Sequence, residues 1–351
     1  MTTEQRVHAD DLCVLVTQIF EHMGMDSPDA NLLADSLVFA DLRGIHSHGV
    51  LRVPEYVEKL TTKGVNPKGK PHIIRAFGGC VVVDGDNSMG QIGMHVAMNE
   101  VIQRANEHGI AAAAIRGSNH SGAMAYFAIK ALPHNMIGIA TTNALPTMAP
   151  WGGAEKIVGI NPLGVAIPAG TELPIVHDAA FSGSSHGKIR IHHQKNLPIP
   201  AGWALDKEGN PTTDAAAALD GLLRPIGEFK GVSLALIMGI LSSMLSGAAY
   251  GLELGNMEEG PRPGQDGHFV AAIKIAAFEE VDHFKARVDK AIREIHEVRK
   301  APGFHHTYAP GEIEQLREQE YRQHGIPLNE VTLADLQRTA NKFNLLMRLV
   351  R

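Results

Sequence analysis

The chain has 351 residues, too many for one minimal core, so two or three structural lobes are expected. A net charge of −6 without a Lys/Arg cluster argues against a nucleic-acid surface, and 44% apolar with 20% charged residues is the balance of a soluble globular protein. Two cysteines, Cys13 and Cys80, exclude a disulfide framework and suit a reducing cytoplasm, and the polar N-terminus does not read as a signal peptide.

Leu12, Val16, Ile19 and Phe20 recur at helical spacing within residues 8–40, and Pro28 marks the start of a second helix running toward Phe39. A third helix is expected to end near Lys63, before a Pro/Gly-rich link over residues 65–71. Beyond it the texture becomes mixed. Strands are expected from Cys80, at Ile110 to Ile115, at Met136 to Thr142, at Ile175-Val176 and at His268 to Ile275, with a helix from Gly90 to Glu107. Gly231 to Leu252 carries no charge and is long enough to span a bilayer, but its serines and glycines favour a buried helix of a soluble protein, covered by a cofactor or a second subunit. Helices follow at Val281 to Arg299, Glu312 to His324 and Leu333 to Leu346. The expected organisation is a helical segment over 1–71, packing with helices of 312–351, around an α/β region over 72–311.

The chemistry concentrates first in residues 41–52, where His46 and His48 bracket Ser47 and Arg52 follows. Histidine exchanges protons near neutral pH, and arginine offers a planar fork that fits a carboxylate. Such a set suits a site that holds a small carboxylic acid and moves a proton beside it. His120 follows the alanine-rich strand in a glycine-containing turn, where ligands commonly meet an open sheet. Lys188 and Lys230 each sit beside a glycine, as a phosphate or carboxylate contact requires. No Gly-x-Gly-x-x-Gly follows a strand and there is no P-loop, so neither a Rossmann domain nor a P-loop fold is supported. The pairs His192-His193 and His305-His306 raise a metal-dependent lyase or hydrolase as a rival reading, but no His-Glu-x-x-His or Cys-x-x-Cys supports it and no metal is expected.

Taken in order, these motifs resemble the type-2 malate/L-lactate dehydrogenase family over roughly residues 8–346. The resemblance rests on Asp41, Gly44, Ser47-His48-Gly49, Arg52 and Tyr56, then on Gly117 to His120 and Ala149 to Gly153. It continues through Asn161-Pro162, Asp178, Gly187-Lys188, Gly202-Trp203-Ala204, Lys230-Gly231 and Pro310-Gly311-Glu312. The family includes ureidoglycolate, sulfolactate and diketogulonate dehydrogenases and a cyclic-imine reductase. The resemblance implies an α/β fold unrelated to Rossmann, with a mixed, largely antiparallel sheet and a helical lobe drawn from both termini. It implies interconversion of a 2-oxo acid and a 2-hydroxy acid with NAD, or NADP, in a homodimer whose subunits share active sites, with no nucleic-acid or membrane partner.

Carried over residue by residue, His48 is the expected proton carrier, with Ser47 as its neighbour and His120 as its competitor for that role. Lys188 is expected to help stabilise negative charge, and it matches an aspartate of the imine-reductase branch, which favours the oxo-acid branch. Arg52, Tyr56 and His46 are expected at the substrate. Cofactor contacts are expected at His120, Thr142, Asn143, Asp178, Ala179, Ala180, Lys230, Pro310, Gly311 and Glu312. The chain departs from the pattern at Ile160, His177, Phe181 and His186, which puts the carry-over at Phe181 in doubt and predicts an altered side-chain pocket.

Overall fold

The computed structural model describes residues 5–257 and 260–346, so the outermost residues of both expected helical segments, 1–4 and 347–351, lie outside the described residues. Its centre is a seven-stranded sheet. The spatial order is His72–Phe77, Cys80–Asp84, Ile110–Ser118, Asp266–Lys274, Met136–Thr142, Leu163–Ile167 and Ile175–Ala179. Only Cys80–Asp84 and Ile110–Ser118 run parallel, joined by the helix Gly90–His108. All other neighbours in the sheet are antiparallel. This is the mixed, largely antiparallel sheet that the family resemblance implies.

Alanine is a poor strand former, yet Ala111, Ala113 and Ala114 line a central strand. Burial decides. Small side chains there let Met94, Ala97, Met98 and Val101 of the overlying helix share one cluster with Ile115, Val270 and Ala272. A second apolar cluster joins the helices Ala9–His22, Ser27–Leu42 and Val53–Thr61 to the strand Ile326–Leu328 and the helix Glu330–Asn341. Residues from both chain ends therefore build one helical lobe, pinned further by antiparallel pairing of Gln5–Val7 with Ile326–Leu328. A third cluster, with Phe181, Ile189, Ile199 and Ala218, underlies a smaller lobe of short strands and two short helices, His186–Gln194 and Ala215–Asp220.

Several elements differ from expectation. The uncharged stretch at 231–252 does not form one continuous α-helix. The helix Phe229–Gly239 passes into a wider π-helical turn at Ile240–Met244, and no helix among the described residues is long and apolar enough to cross a membrane. Nor is it buried all round within one chain. Gly231, Val232, Ala235 and Gly239 face inward, whereas Leu234, Ile237, Met244 and Leu245 are exposed. The small inward residues let the buried Asn161 amide reach in and donate to the Ala235 carbonyl at 2.7 Å. The last helix runs Glu330–Asn341 rather than Leu333 to Leu346, because the Asn329 side chain caps it by accepting from the Thr332 N–H. The edge strand His72–Phe77, the strand Leu163–Ile167 and both small-lobe helices are additional to the predicted elements.

Candidate active site

Residues 46–52 leave the helix Ser27–Leu42 as two tight 3-10 turns, which hold Ser47, His48 and Arg52 at the edge of the helical lobe. The His48 ring lies over the His120 ring, with centroids 5.8 Å apart and planes 17° from parallel. Nδ1 of each ring has a hydroxyl neighbour. Ser47 Oγ is 2.9 Å from His48 Nδ1, and the Tyr56 hydroxyl is 2.6 Å from His120 Nδ1. The Tyr56 side chain is fully buried, and Nε2 of Gln91 donates to its oxygen at 3.3 Å. With the Gln91 amide in this orientation Tyr56 can donate to His120 Nδ1, an arrangement in which the neutral His120 ring carries its proton on Nε2.

Arg52 donates from Nε to the Ser47 carbonyl at 2.9 Å and from Nη1 to the Glu55 carboxylate at 2.6 Å. Its guanidinium therefore braces the turn and carries one carboxylate within the chain. Both histidines are held neutral at pH 7. Although each is only half-buried, the protein packed round His48 desolvates it and, with the Arg52 charge, pushes its pKa down to about 4. Desolvation first, then Arg52, holds His120 well below the usual histidine range. Burial likewise pushes the Tyr56 phenol up.

Behind His120 lies a histidine with no role in the sequence reading. His268 is fully buried, with Nδ1 2.8 Å from Thr142 Oγ1 and Nε2 2.8 Å from Ser118 Oγ, and burial lowers its pKa to about 3. It ties together the ends of the three central strands. Asp266, on the same strand, is pushed up to about 7 by burial, against the opposing attraction of Lys59.

Several of the expected cofactor residues lie on or beside the edge strand Ile175–Ala179. Asp178 accepts from the Ala125 N–H at 2.8 Å, which ties the loop following His120 to the edge strand; burial raises its carboxyl to about 6. Pro310 runs beside that strand, its carbonyl accepting from the Val176 N–H at 2.9 Å. Gly311 has φ +85°, and a Cβ there would lie 2.4 Å from the Val176 carbonyl oxygen. Ala179 pairs with Leu163, and Ala180 leads into Phe181, whose carbonyl accepts from the Ile226 N–H just before the helix that carries Lys230. Glu312 Oε2 accepts from the Ala309 N–H and meets His296 at 2.9 Å.

Other expected residues are engaged elsewhere. The Asn143 amide donates to the Ala249 carbonyl and accepts from the Gly267 N–H, so it braces the strand ends. His46 turns away from His48, pairing with Asp41 at 2.7 Å and stacking on Tyr321. Tyr56, expected at the substrate, is buried with its hydroxyl against His120 Nδ1. Lys188 is an exposed residue of the small lobe, its N–H donating to the Ser185 side chain, and no described contact joins it to either histidine. Gln91 carries no local sequence signal, since only the fold brings it to Tyr56; Glu55 could have been found from its place one turn after Arg52.

Two buried polar atoms near His120, Gln91 Oε1 and Ser121 Oγ, have no hydrogen-bond partner among the described residues. Such spare capacity fits a bound polar ligand, a carboxamide or carboxylate. The exposed Lys188 and Lys230 and the glycine-lined loop at 310–312 fit a phosphate-bearing one. Among the described residues, no group of three or more His, Cys, Asp or Glu is arranged to hold a metal ion.

Comparison with known proteins agrees with this picture. The malate/L-lactate dehydrogenase family matches residues 7–337. The chain is 35% identical to a malate dehydrogenase of Pyrococcus horikoshii over 345 residues, covering 96% of this chain and 95% of that protein. The solved sulfolactate dehydrogenase of Methanocaldococcus jannaschii superposes with a TM-score of 0.92 at 34% identity, covering 97% of this chain and 98% of that one. A Δ1-piperideine-2-carboxylate reductase from Pseudomonas syringae pvar. tomato superposes with a TM-score of 0.86 at 28% identity, covering 95% and 99%. By sequence and by fold, the chain belongs to the malate/L-lactate dehydrogenase family.

Proposed function

We propose that the protein interconverts a 2-oxo acid and a 2-hydroxy acid with NAD, NADP being the second cofactor to assay. The observation that carries this reading is the near-parallel His48–His120 pair beside the Arg52 guanidinium. A nicotinamide, when bound, supplies or accepts the hydride at the substrate carbon. Arg52 takes the substrate carboxylate alongside Glu55, since five N–H groups allow more than one acceptor. His120, its Nδ1 held by Tyr56, offers an Nε2–H to the substrate oxygen and polarises it. His48 carries the proton to or from that oxygen, and Ser47, exposed beside it, connects it with solvent.

Asp178 to Ala180, Lys230 and the loop Pro310-Gly311-Glu312 hold the cofactor in this reading. Gly311→Ala drives a methyl into the Val176 carbonyl and displaces that loop, so the NADH Kd is expected to rise at least about tenfold. Fluorescence titration measures it, and an unchanged Kd removes the loop from the cofactor site. The exposed stripe of Leu234, Ile237, Met244 and Leu245 supports a homodimer, in which a second subunit covers the helix and helps to complete each site. Lys188 enters the reading as a small-lobe cation for substrate or cofactor anions.

The test is NADH and NADPH oxidation across a panel of 2-oxo acids, with sedimentation velocity on the same preparation. Turnover of a 2-oxo acid by a dimer is expected. Turnover confined to cyclic imines, the substrate class named for the Pseudomonas reductase, would transfer the site to C=N reduction.

A further inference from the structure

Asp41 is a buried carboxylate of the site region that touches no substrate in the proposed reaction. It sits in the last turn of the helix Ser27–Leu42, where the helix dipole disfavours negative charge, and it is only 1% exposed. Both of its oxygens are used. Oδ1 pairs with His46 Nδ1 at 2.7 Å, and Oδ2 accepts from the Val50 N–H at 2.7 Å. These anchors fall on either side of Ser47 and His48. Gly49 passes so close that a Cβ there would lie 2.2 Å from the carboxylate. A cleft of about 150 Å³, lined by Asp41, His46, Leu51, Tyr321 and Asn329, adjoins the same turn.

We propose that Asp41 is a positioning residue: it clamps the 46–50 turn at both ends and so sets the His48 ring against His120, with Gly49 kept free of a side chain to admit the carboxylate. His46 serves this clamp rather than the substrate. Arg52 completes the brace from the far side through the Ser47 carbonyl. The inference rests on the hydroxy-acid dehydrogenase reading for its effect on turnover, but not for its geometry.

The experiment compares Asp41→Asn, Asp41→Ala, Gly49→Ala and the double variant Asp41→Ala/Gly49→Ala in the full-length protein. Kinetics with the best 2-oxo acid are read beside the NADH Kd and the His48 ring resonances, assigned with His48→Gln. An ångström-scale displacement of a reacting group costs about 100-fold. Gly49→Ala and Asp41→Ala are each expected to lower kcat by about that factor with the NADH Kd unchanged, and Asp41→Asn, which keeps an acceptor for Val50, by about tenfold. In the Asp41→Ala background, Gly49→Ala is expected to cost less than about threefold, because the two act on one contact. Equal costs in both backgrounds, or wild-type kcat in Asp41→Ala, would overturn the proposal. If Asp41→Ala does not fold, Asp41→Asn and Gly49→Ala decide: wild-type kcat in both overturns it. If the wild type reduces no 2-oxo acid, the functional reading fails, and the clamp is judged by NMR alone. Unchanged His48 resonances in Asp41→Asn and Gly49→Ala then overturn it.

Discussion

Replacing His48 with alanine is expected to cut turnover by about 10²–10⁴-fold while leaving the fold intact, the usual cost of losing a general acid or base. The pH dependence gives the sharper check. In the free protein the His48 pKa lies near 4, so at neutral pH the ring is in its base form. Oxidation of the hydroxy acid needs that form, so its kcat/KM should be flat through neutral pH and fall as pH drops through about 4. Reduction needs the protonated ring, so its kcat/KM should fall about tenfold per unit as pH rises above about 4. Arg52 is the second cause of the low value, and a bound substrate carboxylate offsets its charge. The kcat profile, which reports the bound complex, is therefore displaced to higher pH. His120→Ala should also slow turnover but keep this dependence. If His48→Ala instead keeps near-normal turnover and His120→Ala abolishes the pH dependence, the proton belongs to His120.

Arg52→Lys is expected to raise the KM for 2-oxo acids by about 10–100-fold, with a smaller fall in kcat. Arg52 serves the Ser47 carbonyl and the Glu55 carboxylate from two different nitrogens. A substrate carboxylate must be added to these partners, and a lysine ammonium cannot meet that geometry, because its donors radiate from one atom. Loss of a charged hydrogen bond of this kind costs several kcal/mol at a desolvated site, and less where water competes. Arg52 is about one-third exposed, so the lower part of the range applies. Initial-rate kinetics at saturating NADH measure it. A KM within twofold of wild type would remove Arg52 from the carboxylate.

Much of the fold was legible because its periodic elements are strong. The helix Glu312–His324 matches expectation residue for residue, and the strand Met136–Thr142 does too. What escaped lacked a local signal. His72–Phe77 is exposed along its whole length, so it shows no inward and outward alternation. The uncharged run at 231–252 looked like one uninterrupted helix because composition cannot reveal where a π-helical turn interrupts the hydrogen-bond ladder. At the site, sequence could name His48, His120 and Arg52 by residue type and spacing. It could not see that Tyr56 and Gln91 sit behind His120, or that His46 turns toward Asp41. Those facts depend on contacts between residues 35 and 64 positions apart, or on which way a tight turn rotates each side chain.

The strand Asp266–Lys274 lies between Ile110–Ser118 and Met136–Thr142, both completed more than a hundred residues earlier. As the chain leaves the ribosome, those two strands wait with unpaired edges until the late one arrives. The sheet therefore closes in one long-range event, the kind that folds slowly and leaves apolar edges open to wrong partners. His268, which ties the three strand ends together behind His120, arrives on the same strand. Closure of the sheet and completion of the support behind the His48–His120 pair are thus a single step in the maturation of the protein.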